Sequence, residues 1–488
     1  MASIVRNIIR RVDDLHILYY RRQETHRCVS FRKSERGTLK GHKMYRFGKY
    51  IYDQERLLVY CEDICREELD RIIERTVEKE NIWTKTLNTD ISEIQRYKMI
   101  AVNSGGICLT YNCNLNCVYC GYSSDNKSKV KISYNDIKAF VDDLLVKRAV
   151  KSLYEKEKYP LVLYITGGGE PTCEWELLKQ TVAYTKNMCK LQEVALNLSI
   201  TTNGLLSDEK IDYLAENFDN IMISYDGDKI TQNQNRPSIS GDETNRKVEH
   251  TIRSLVNKGV KVEIRSTICP KDFSRLMDLY ANISSIINKK ENTRWSIYPV
   301  IPEGRALKFI GNNIGEEYKA FSKYYVELRK NIVKNEGVEA ANKVFCPLYS
   351  SDRIDSFCGC LFGEEPCLMP NGDIITCNES KDFQVCIGHI KNGTIKWKEV
   401  FTNVFFDIAV KKYQECKKCI AYRFCRGGCP IWHLREDRSI PIECIATKEF
   451  WKTIIKEVIE KGNNSEWYLK EIDDGNHKIY TIEKQAVK

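Results

Sequence analysis

The chain lacks any apolar run that approaches the ~20 residues needed to span a bilayer. It also lacks the uninterrupted apolar core of a secretory signal, because Arg6, Arg10, Arg11, Asp13 and Asp14 interrupt the apolar pattern at its start. We therefore expect a cytoplasmic protein without a membrane partner. Its 488 residues, 42% of them hydrophobic, suffice for roughly two to four domains with buried cores.

Cysteine is abundant, with 21 residues in the chain. In a large chain without a secretory signal, so many thiols are more typical of metal or cluster binding than of a disulfide framework. Six of them show no ligand spacing to one another and are expected to be core or surface thiols: Cys28, Cys61, Cys65, Cys173, Cys189 and Cys269.

Positive charge is concentrated at the start of the chain. Residues 1–50 contain 13 Lys and Arg and 4 Asp and Glu by our count, a difference of +9 that equals the formal net charge of the whole chain. Two interpretations stay open. The excess forms a solvated basic face, or it receives an acidic peptide or a nucleic acid.

Two patterns of secondary structure follow one another along the chain. Residues 1–100 have the pattern of a small α+β unit. Its predicted strands are His16–Arg22, Cys28–Lys33, Met44–Tyr52 and Arg56–Cys61, and its predicted helix is Glu67–Lys79. From about residue 105, strands and helices alternate, which predicts parallel strands with right-handed crossovers. These strands are Ile107–Tyr111, Leu161–Thr166, Leu196–Thr202, Asn220–Ser224, Val260–Thr267 and Trp295–Val300. The helices are Asn135–Val146, Trp175–Met188, Asp208–Asn217, Asn245–Asn257, Phe273–Ile287 and Glu316–Val333.

Three cysteines lie close together after the first strand of this alternation. Cys113, Cys117 and Cys120 have the spacing C-x3-C-x2-C. A cube-shaped iron–sulfur cluster takes four ligands, so three thiolates leave one iron open. An open iron can bind a small molecule and pass it an electron. A zinc site is the alternative, although structural zinc favours four ligands in paired C-x2–4-C spacings.

This arrangement resembles the radical SAM superfamily. The resemblance implies that the open iron chelates S-adenosylmethionine, whose reductive cleavage yields a 5′-deoxyadenosyl radical that abstracts hydrogen from the substrate. It also implies that Tyr119 lies next to the adenine, with a packed loop aromatic as the alternative. The fold it implies is α/β, a partial (β/α)6 TIM-like barrel.

Further motifs follow the next predicted strands, at the carboxyl ends where parallel α/β folds bind ligands. The resemblance assigns to S-adenosylmethionine the residues Gly168, Gly169, Glu170, Thr202, Asn203, Ser224, Asp226 and Arg236. Glu170 would accept a hydrogen bond from the methionine ammonium, and Arg236 would hold a carboxylate. Taken singly, the Gly-Gly-Glu-Pro and Asn-Gly strings are ordinary turns. The segment Thr231–Asn235 departs from the His-Asp pattern common before this arginine.

A second group of cysteines lies between residues 346 and 444. Cys360, Gly372 and Cys377 have the spacing C-x11-G-x4-C, and a C-x2-C-x5-C-x3-C string with a final cysteine follows, consisting of Cys416, Cys419, Cys425, Cys429 and Cys444. This pattern resembles the seven-cysteine SPASM domain, so the resemblance covers about residues 105–450. A pair of zinc ribbons is the alternative for this group.

The SPASM resemblance implies two auxiliary [4Fe–4S] clusters. One would be held by Cys416, Cys419, Cys425 and Cys444, and the other by Cys360, Cys377 and Cys429. The fourth ligand of the latter is Cys346 or Cys358, or its iron is open. Cys367 and Cys386 lie in strand-like strings and are expected in the core.

SPASM enzymes mostly modify peptides or proteins, so the resemblance implies oxidative modification of a ribosomally synthesised peptide, by thioether or carbon–carbon crosslinking. One alternative is formylglycine formation in a sulfatase, but the aspartate that acts as base there is replaced here by Asn378, with Glu379 adjacent. Dehydrogenation of a small alcohol or sugar is another. A zinc-bound structural or nucleic-acid-binding protein is the non-enzymatic alternative. No catalytic acid or base is assigned, although Glu364, Glu365 and Asp373 are candidates.

The predicted architecture has four parts. They are an N-terminal α+β extension as a candidate leader-peptide recognition unit (1–100), the radical SAM partial barrel (101–335), a Cys-rich SPASM domain (336–450) and a C-terminal helix and tail (451–488). The expected partners are a precursor peptide with leader and core and an external electron donor such as flavodoxin or ferredoxin. A nucleic-acid partner is not expected.

Overall fold

The computed structural model describes residues 44–47, 50–53, 58–61 and, with short gaps, 101–398, 416–429, 441–471 and 479–484. The gaps within these ranges are 123, 125–127, 129, 288–290, 309, 311–312, 350–364, 378–385, 417–418, 426 and 465. Several predicted features lie outside the described residues, namely His16–Arg22, Cys28–Lys33, Glu67–Lys79, Cys358, Cys360, Glu364, Asn378 and Glu379.

An eleven-stranded sheet organises most of the described chain, in the order β10-β9-β8-β7-β6-β5-β4-β11-β12-β13-β14. Its strands are β4 Ser104–Cys108, β5 Leu161–Thr166, β6 Leu196–Thr202, β7 Asn220–Ser224, β8 Lys261–Ile268, β9 Thr293–Pro299, β10 Val344–Phe345, β11 Cys367–Leu368, β12 Asp373–Ile375, β13 Cys386–Lys391 and β14 Thr394–Trp397. Strands β4 to β9 are parallel neighbours in sequence order. This confirms the predicted partial barrel of six parallel strands.

Helices connect the parallel strands and cover the outside of the sheet. They are α1 Tyr134–Glu155, α2 Trp175–Leu191, α3 Asp208–Asn217, α4 Lys229–Asn235, α5 Asn245–Asn257, α6 Leu276–Ile287, α7 Ile314–Glu336, α8 Val338–Asn342, α9 Tyr422–Cys425 and α10 Ile442–Lys461. Within the described part of the chain, no helix is long and apolar enough to cross a lipid bilayer.

Alternation along the strands separates the two faces of the barrel wall. In β5, Leu161, Leu163 and Ile165 are fully buried in the main core, whereas Tyr164 on the opposite face is half-buried. Helix α1 begins after Ser133, whose hydroxyl accepts a hydrogen bond from the Asp136 backbone N–H at 3.1 Å and so satisfies one free donor of the first turn. The core therefore lies between the sheet and the helices, and the carboxyl ends of the strands are left to their loops.

Strands β11 to β14 extend the barrel sheet beyond its first strand. β11 pairs in parallel with β4, and β11, β12, β13 and β14 then form an antiparallel meander. The strand-like strings around Cys367 and Cys386 are confirmed as β11 and β13, with Cys367 buried and Cys386 half-buried against the same cluster. The Cys-rich region thus continues the barrel sheet directly.

A second sheet joins the two ends of the described chain. Its order is β1-β2-β3-β16-β15, with β1 Met44–Phe47, β2 Tyr50–Asp53, β3 Leu58–Cys61, β15 Trp467–Glu471 and β16 Ile479–Lys484. Every neighbouring pair in it is antiparallel. The prediction of one strand over Met44–Tyr52 is wrong, because β1 and β2 form a hairpin there. Gly48-Lys49 separates the two strands in the sequence, and a glycine at the first position of a two-residue connection is a hairpin signal that the prediction passed over.

Aromatic packing fixes the Cys-rich region and α10 against α7. Phe424 stacks on Trp451 with ring centroids 3.8 Å apart, and Tyr349 stacks on Phe450 at 4.1 Å. The buried guanidinium of Arg329 on α7 donates to both oxygens of Glu466, at 2.5 and 2.8 Å, just before β15. These contacts make α7 and α10 a rigid support beside the barrel.

Candidate active site

The cysteine loop follows β4 at the carboxyl end of the sheet. Cys113, Cys117 and Cys120 are each half-buried in it. Three backbone hydrogen bonds of 2.8 to 3.1 Å join loop residues 114–118 to residues 235–239, at the end of α4 and directly after it. The loop is therefore held in shape by a segment more than a hundred residues away in the sequence.

The thiols of this loop fit an iron–sulfur cluster. Burial raises the pKa of Cys117 to about 11 and also raises the pKa of Cys113 well above its usual value, so both stay protonated near neutral pH until a metal displaces the proton. Among the described residues, no three His, Cys, Asp or Glu side chains converge on a single-ion site.

The glycine motif after β5 lies against the cysteine loop. The Gly169 N–H donates to the Thr110 carbonyl at 3.0 Å, and the Glu170 N–H donates to the Asn112 carbonyl at 2.7 Å. A Cβ at Gly169 would overlap the Asn112 carbonyl. Only glycine permits this approach of the two backbones. The Gly-Gly-Glu motif is thus in direct backbone contact with the start of the cysteine loop.

The Glu170 carboxylate connects the ends of β5 and β6. Its Oε1 accepts from the Thr172 N–H (3.1 Å), the Thr172 hydroxyl (2.7 Å) and the Thr202 hydroxyl (2.8 Å), and its Oε2 accepts from the Asn203 N–H (2.7 Å). Burial raises the pKa of Glu170, and these donors oppose that shift. A carboxylate has about four lone-pair positions, so acceptor capacity is left on Oε2.

Asn203 brings the β6 end to the first cysteine. Its side-chain amide donates to Asn114 Oδ1 at 2.6 Å and lies 4.0 Å from Cys113 Sγ. The structure therefore brings Glu170, Thr202 and Asn203 together beside the cysteine loop.

Asp226, Tyr119 and Arg236 form a buried group at the end of β7. Asp226 is 0% exposed and accepts from the Tyr119 hydroxyl (2.5 Å), from Arg236 Nε (3.0 Å) and from the Thr267 N–H (3.1 Å). The Arg236 guanidinium lies 5.2 Å from the centre of the Tyr119 ring. The aromatic before the third cysteine is thus anchored to β7 through its hydroxyl.

Residues around this group complete the end of β7. The Asp226 N–H donates to Gln232 Oε1 on α4 at 2.9 Å, so the polar segment that departs from the His-Asp pattern packs back onto the site. Ser224 is half-buried and pairs in register with Arg265 on β8. The structure places Ser224 on the barrel wall and Asp226 in the loop that follows it.

The later cysteines fall into separate groups. Cys444 at the start of α10 is half-buried. Desolvation raises its pKa first, and Cys425, Cys416, Glu443 and Cys419 raise it further, so the three other cysteines lie near it. These four are the residues predicted to share one auxiliary cluster. In the same way, burial raises the pKa of Cys367, and the neighbouring thiols of Cys108 and Cys377 raise it further.

The two candidates for a fourth ligand differ in what the structure describes. Cys346 follows β10 at one edge of the sheet, and it lies close enough to Tyr325 and Tyr349 to raise the pKa of their hydroxyls. Cys377 follows β12, which lies beyond β4 on the other side of the barrel strands. Cys358 lies outside the described residues. Cys429 is half-buried near α9.

Arg305 is a site residue that the sequence pattern did not indicate. It lies in the 3-10 helix Gly304–Lys308 after β9. Its guanidinium donates to the Cys117 carbonyl at 3.1 Å and to the Ser124 carbonyl at 2.6 Å. Contacts to backbone carbonyls leave no motif in the sequence, so no spacing could have identified it.

Comparisons with known proteins agree with this geometry. The family model described as the radical SAM superfamily matches residues 107–278. The cysteine-type anaerobic sulfatase-maturating enzyme of Clostridium perfringens is 27% identical over 388 residues, covering 72% of this chain and 96% of that protein. The mycofactocin maturase MftC of Mycobacterium tuberculosis is 25% identical over 339 residues, covering 66% of this chain and 76% of that protein.

Solved structures share the fold. The structure of native anSMEcpe with bound AdoMet and Cp18Cys peptide has a TM-score of 0.55 and 20% identity, covering 73% of this chain and 98% of that one. The chain is an enzyme with a radical SAM domain, which the family model places at residues 107–278. This domain implies a [4Fe–4S] cluster and S-adenosylmethionine as cofactors, which the thiols and motifs at the strand ends fit.

Proposed function

We propose that this enzyme oxidatively modifies a ribosomally synthesised precursor peptide, by forming thioether or carbon–carbon crosslinks. The observation that carries the proposal is the grouping of Cys416, Cys419 and Cys425 around Cys444, in addition to the cysteine loop of the barrel. A second set of thiols of this kind supplies ligands for an auxiliary cluster, which can take up the electron that substrate oxidation releases. The similarity to maturases, one of them solved with a bound peptide, supports a peptide or protein substrate.

Residues at the strand ends would divide the work of binding the cofactors. When bound, the cluster and S-adenosylmethionine supply a radical that abstracts hydrogen from the substrate. Cys113, Cys117 and Cys120 would hold the cluster. Glu170, whose Oε2 has acceptor capacity left, would accept from the methionine ammonium, with Thr202 and Asn203 fixing its carboxylate.

The remaining cofactor contacts involve the end of β7. Arg236 uses Nε for Asp226, and a guanidinium has four further N–H donors with which to hold a carboxylate. Ser224 and Asp226 are proposed near the ribose, with Asp226 also fixing Tyr119 beside the adenine. Gly168 and Gly169, which have no side chain between the backbone and the site, would let the backbone approach the methionine.

Two auxiliary clusters complete the proposed cofactor set. One would use Cys416, Cys419, Cys425 and Cys444, and the other Cys360, Cys377 and Cys429. For the fourth ligand of the latter, Cys358 or an open iron is favoured, because Cys346 follows the edge strand β10, whereas Cys377 follows β12, eight strands further along the sheet. An external donor such as flavodoxin or ferredoxin would supply electrons, and the cytoplasm would keep the 21 thiols reduced.

The N-terminal region would recognise the leader of the precursor. β1 is the terminal strand of the described five-stranded sheet, and a terminal strand can accept an extended peptide by strand addition. The +9 charge of residues 1–50 suits an acidic leader. Deleting the leader of the substrate should therefore weaken its binding more than mutating its core.

Sulfatase maturation is the second candidate, because the chain covers 96% of a sulfatase-maturating relative. The products distinguish the two. Each crosslink removes two hydrogen atoms from the peptide, whereas conversion of cysteine to formylglycine replaces sulfur by oxygen and removes two hydrogen atoms. Mass spectrometry after anaerobic incubation with a short peptide encoded beside this gene, and in parallel with a sulfatase-type cysteine peptide, decides between them.

The radical step is tested separately. Anaerobic enzyme with reductant and S-adenosylmethionine should release 5′-deoxyadenosine, and the triple variant C113A/C117A/C120A should not. A C416A/C419A variant should still cleave S-adenosylmethionine but form no product. If that variant makes full product, the auxiliary cluster has no part in the reaction. A colourless, zinc-loaded protein after anaerobic reconstitution would contradict the assignment as a whole.

A further inference from the structure

Arg305 contacts the cysteine loop from a distant part of the chain. Its backbone N–H donates to the Cys120 carbonyl at 3.1 Å, and Nη1 and Nη2 donate to the carbonyls of Cys117 and Ser124. Three carbonyls between residues 117 and 124 are thus bound by one residue. Two of them belong to cysteines that ligate the cluster.

The preceding glycine makes this contact possible. Gly304 has φ +52°, and a Cβ there would overlap the carbonyls of Cys120 and Gly121. The 3-10 helix Gly304–Lys308 can therefore lie directly on the end of the cysteine loop. A lysine could not replace the arginine, because a single ammonium cannot span two carbonyls as the planar guanidinium does.

Arg305 also brings a positive charge to the cluster site. Its Nη1 lies 3.1 Å from the Cys117 carbonyl, and the contacts of Arg305 described above are to neutral carbonyls, whereas Arg236 forms an ion pair with Asp226. Net charge and hydrogen bonds around a cluster set its reduction potential. A nearby cation stabilises the reduced cluster, which carries one more negative charge.

We infer that Arg305 is a positioning residue that holds the cysteine loop in its cluster-binding shape and raises the reduction potential of the cluster. The inference rests on the cluster at Cys113, Cys117 and Cys120 and is independent of the substrate. It assigns two separable roles to one side chain. The fork of donors holds the loop, and the charge sets the potential.

Two variants separate these roles. In R305Q both the fork and the charge are lost, so iron retained after gel filtration should fall and the potential should become more negative. In R305K the charge is kept, so iron retention should fall while the potential stays near that of the wild type. R246Q is the matched control, because it removes one positive charge from a side chain that is 82% exposed on α5.

The potential is measured by redox titration of the reconstituted holoenzyme, followed by electron paramagnetic resonance. The signal that changes when S-adenosylmethionine is added belongs to the cluster with the open iron. A wild-type midpoint for this signal in R305Q overturns the inference, whatever the activity. If R305Q does not fold, as judged by circular dichroism, R305K carries the test, and full iron retention in R305K overturns the inference.

Discussion

The ion pair between Asp226 and Arg236 gives the sharpest prediction about stability. The two side chains are 0% and 9% exposed, and Asp226 also accepts from the Tyr119 hydroxyl and the Thr267 N–H. Asp226→Asn keeps the shape and one acceptor oxygen but leaves the Arg236 charge buried without its counter-ion. Removing one partner of a buried pair costs about 3–5 kcal/mol. We expect a loss of that size in the free energy of unfolding.

The assay is urea unfolding of the anaerobic holoenzyme, with two comparisons. Asp208→Asn breaks an exposed pair with His250, in which the side chains are 84% and 58% exposed, and should cost no more than about 1 kcal/mol. The double variant D226N/R236Q removes the stranded charge and should recover part of the loss. The reasoning is refuted if D226N resembles D208N, or if the double variant is no more stable than D226N.

Three further predictions follow from other contacts. Glu170→Gln replaces one acceptor oxygen by an amide N–H₂, which cannot accept the hydrogen bonds that Thr172, Thr202 and Asn203 donate there, so the free energy of unfolding should fall by about 1–3 kcal/mol. Calorimetry should also show weaker binding of S-adenosylmethionine, and unchanged binding would contradict the proposed ammonium contact. Gly304→Ala should lower iron retention, because the added Cβ overlaps the Cys120 carbonyl; Gly241→Ala, which also has positive φ but open space around it, should retain iron. Burial opposes ionisation of Asp228, but hydrogen bonds from Thr231 and the charge of Arg275 hold the pKa of its carboxyl below the usual range. The ionised carboxylate therefore stabilises the fold above about pH 4, and this stabilisation is lost as the pH falls through the folded-state pKa. The melting temperatures of the wild type and D228N should differ at neutral pH and converge in acid.

The barrel could be predicted because its elements carry local signals. β5, β6 and β7 have the predicted bounds, and α3 and α5 match the predicted helices to the residue. Strands with one face in the core carry apolar residues at every second position, and helices packed on a sheet show a 3.6-residue period. Each signal lies within the element itself, so no knowledge of distant contacts is needed.

Elements stabilised by distant contacts could not be predicted. The seven-residue helix α4 is polar, and it is fixed by Arg275, whose Nη1 donates to the Thr231 hydroxyl at 3.0 Å, and by Gln232, whose side-chain amide donates to the Thr244 hydroxyl at 3.4 Å. Likewise, β16 pairs with β3 across most of the chain, although the sequence suggested an N-terminal extension and a separate C-terminal tail. The pairing of β3 with β16 leaves no pattern within either strand, because backbone hydrogen bonds do not depend on side-chain identity.

The same reasoning separates the two kinds of residue at the active site. A metal restricts the identity of its ligands to a few side chains, so Cys113, Cys117 and Cys120 are visible as a spacing in the sequence. A backbone carbonyl is present at every residue, so the contact of Arg305 with Cys117, 188 positions away, has no counterpart in composition or spacing. Residues that shape a metal-binding loop through its carbonyls must therefore be found in the fold. Substitutions at such residues should change metal loading and potential while leaving every predicted ligand in place.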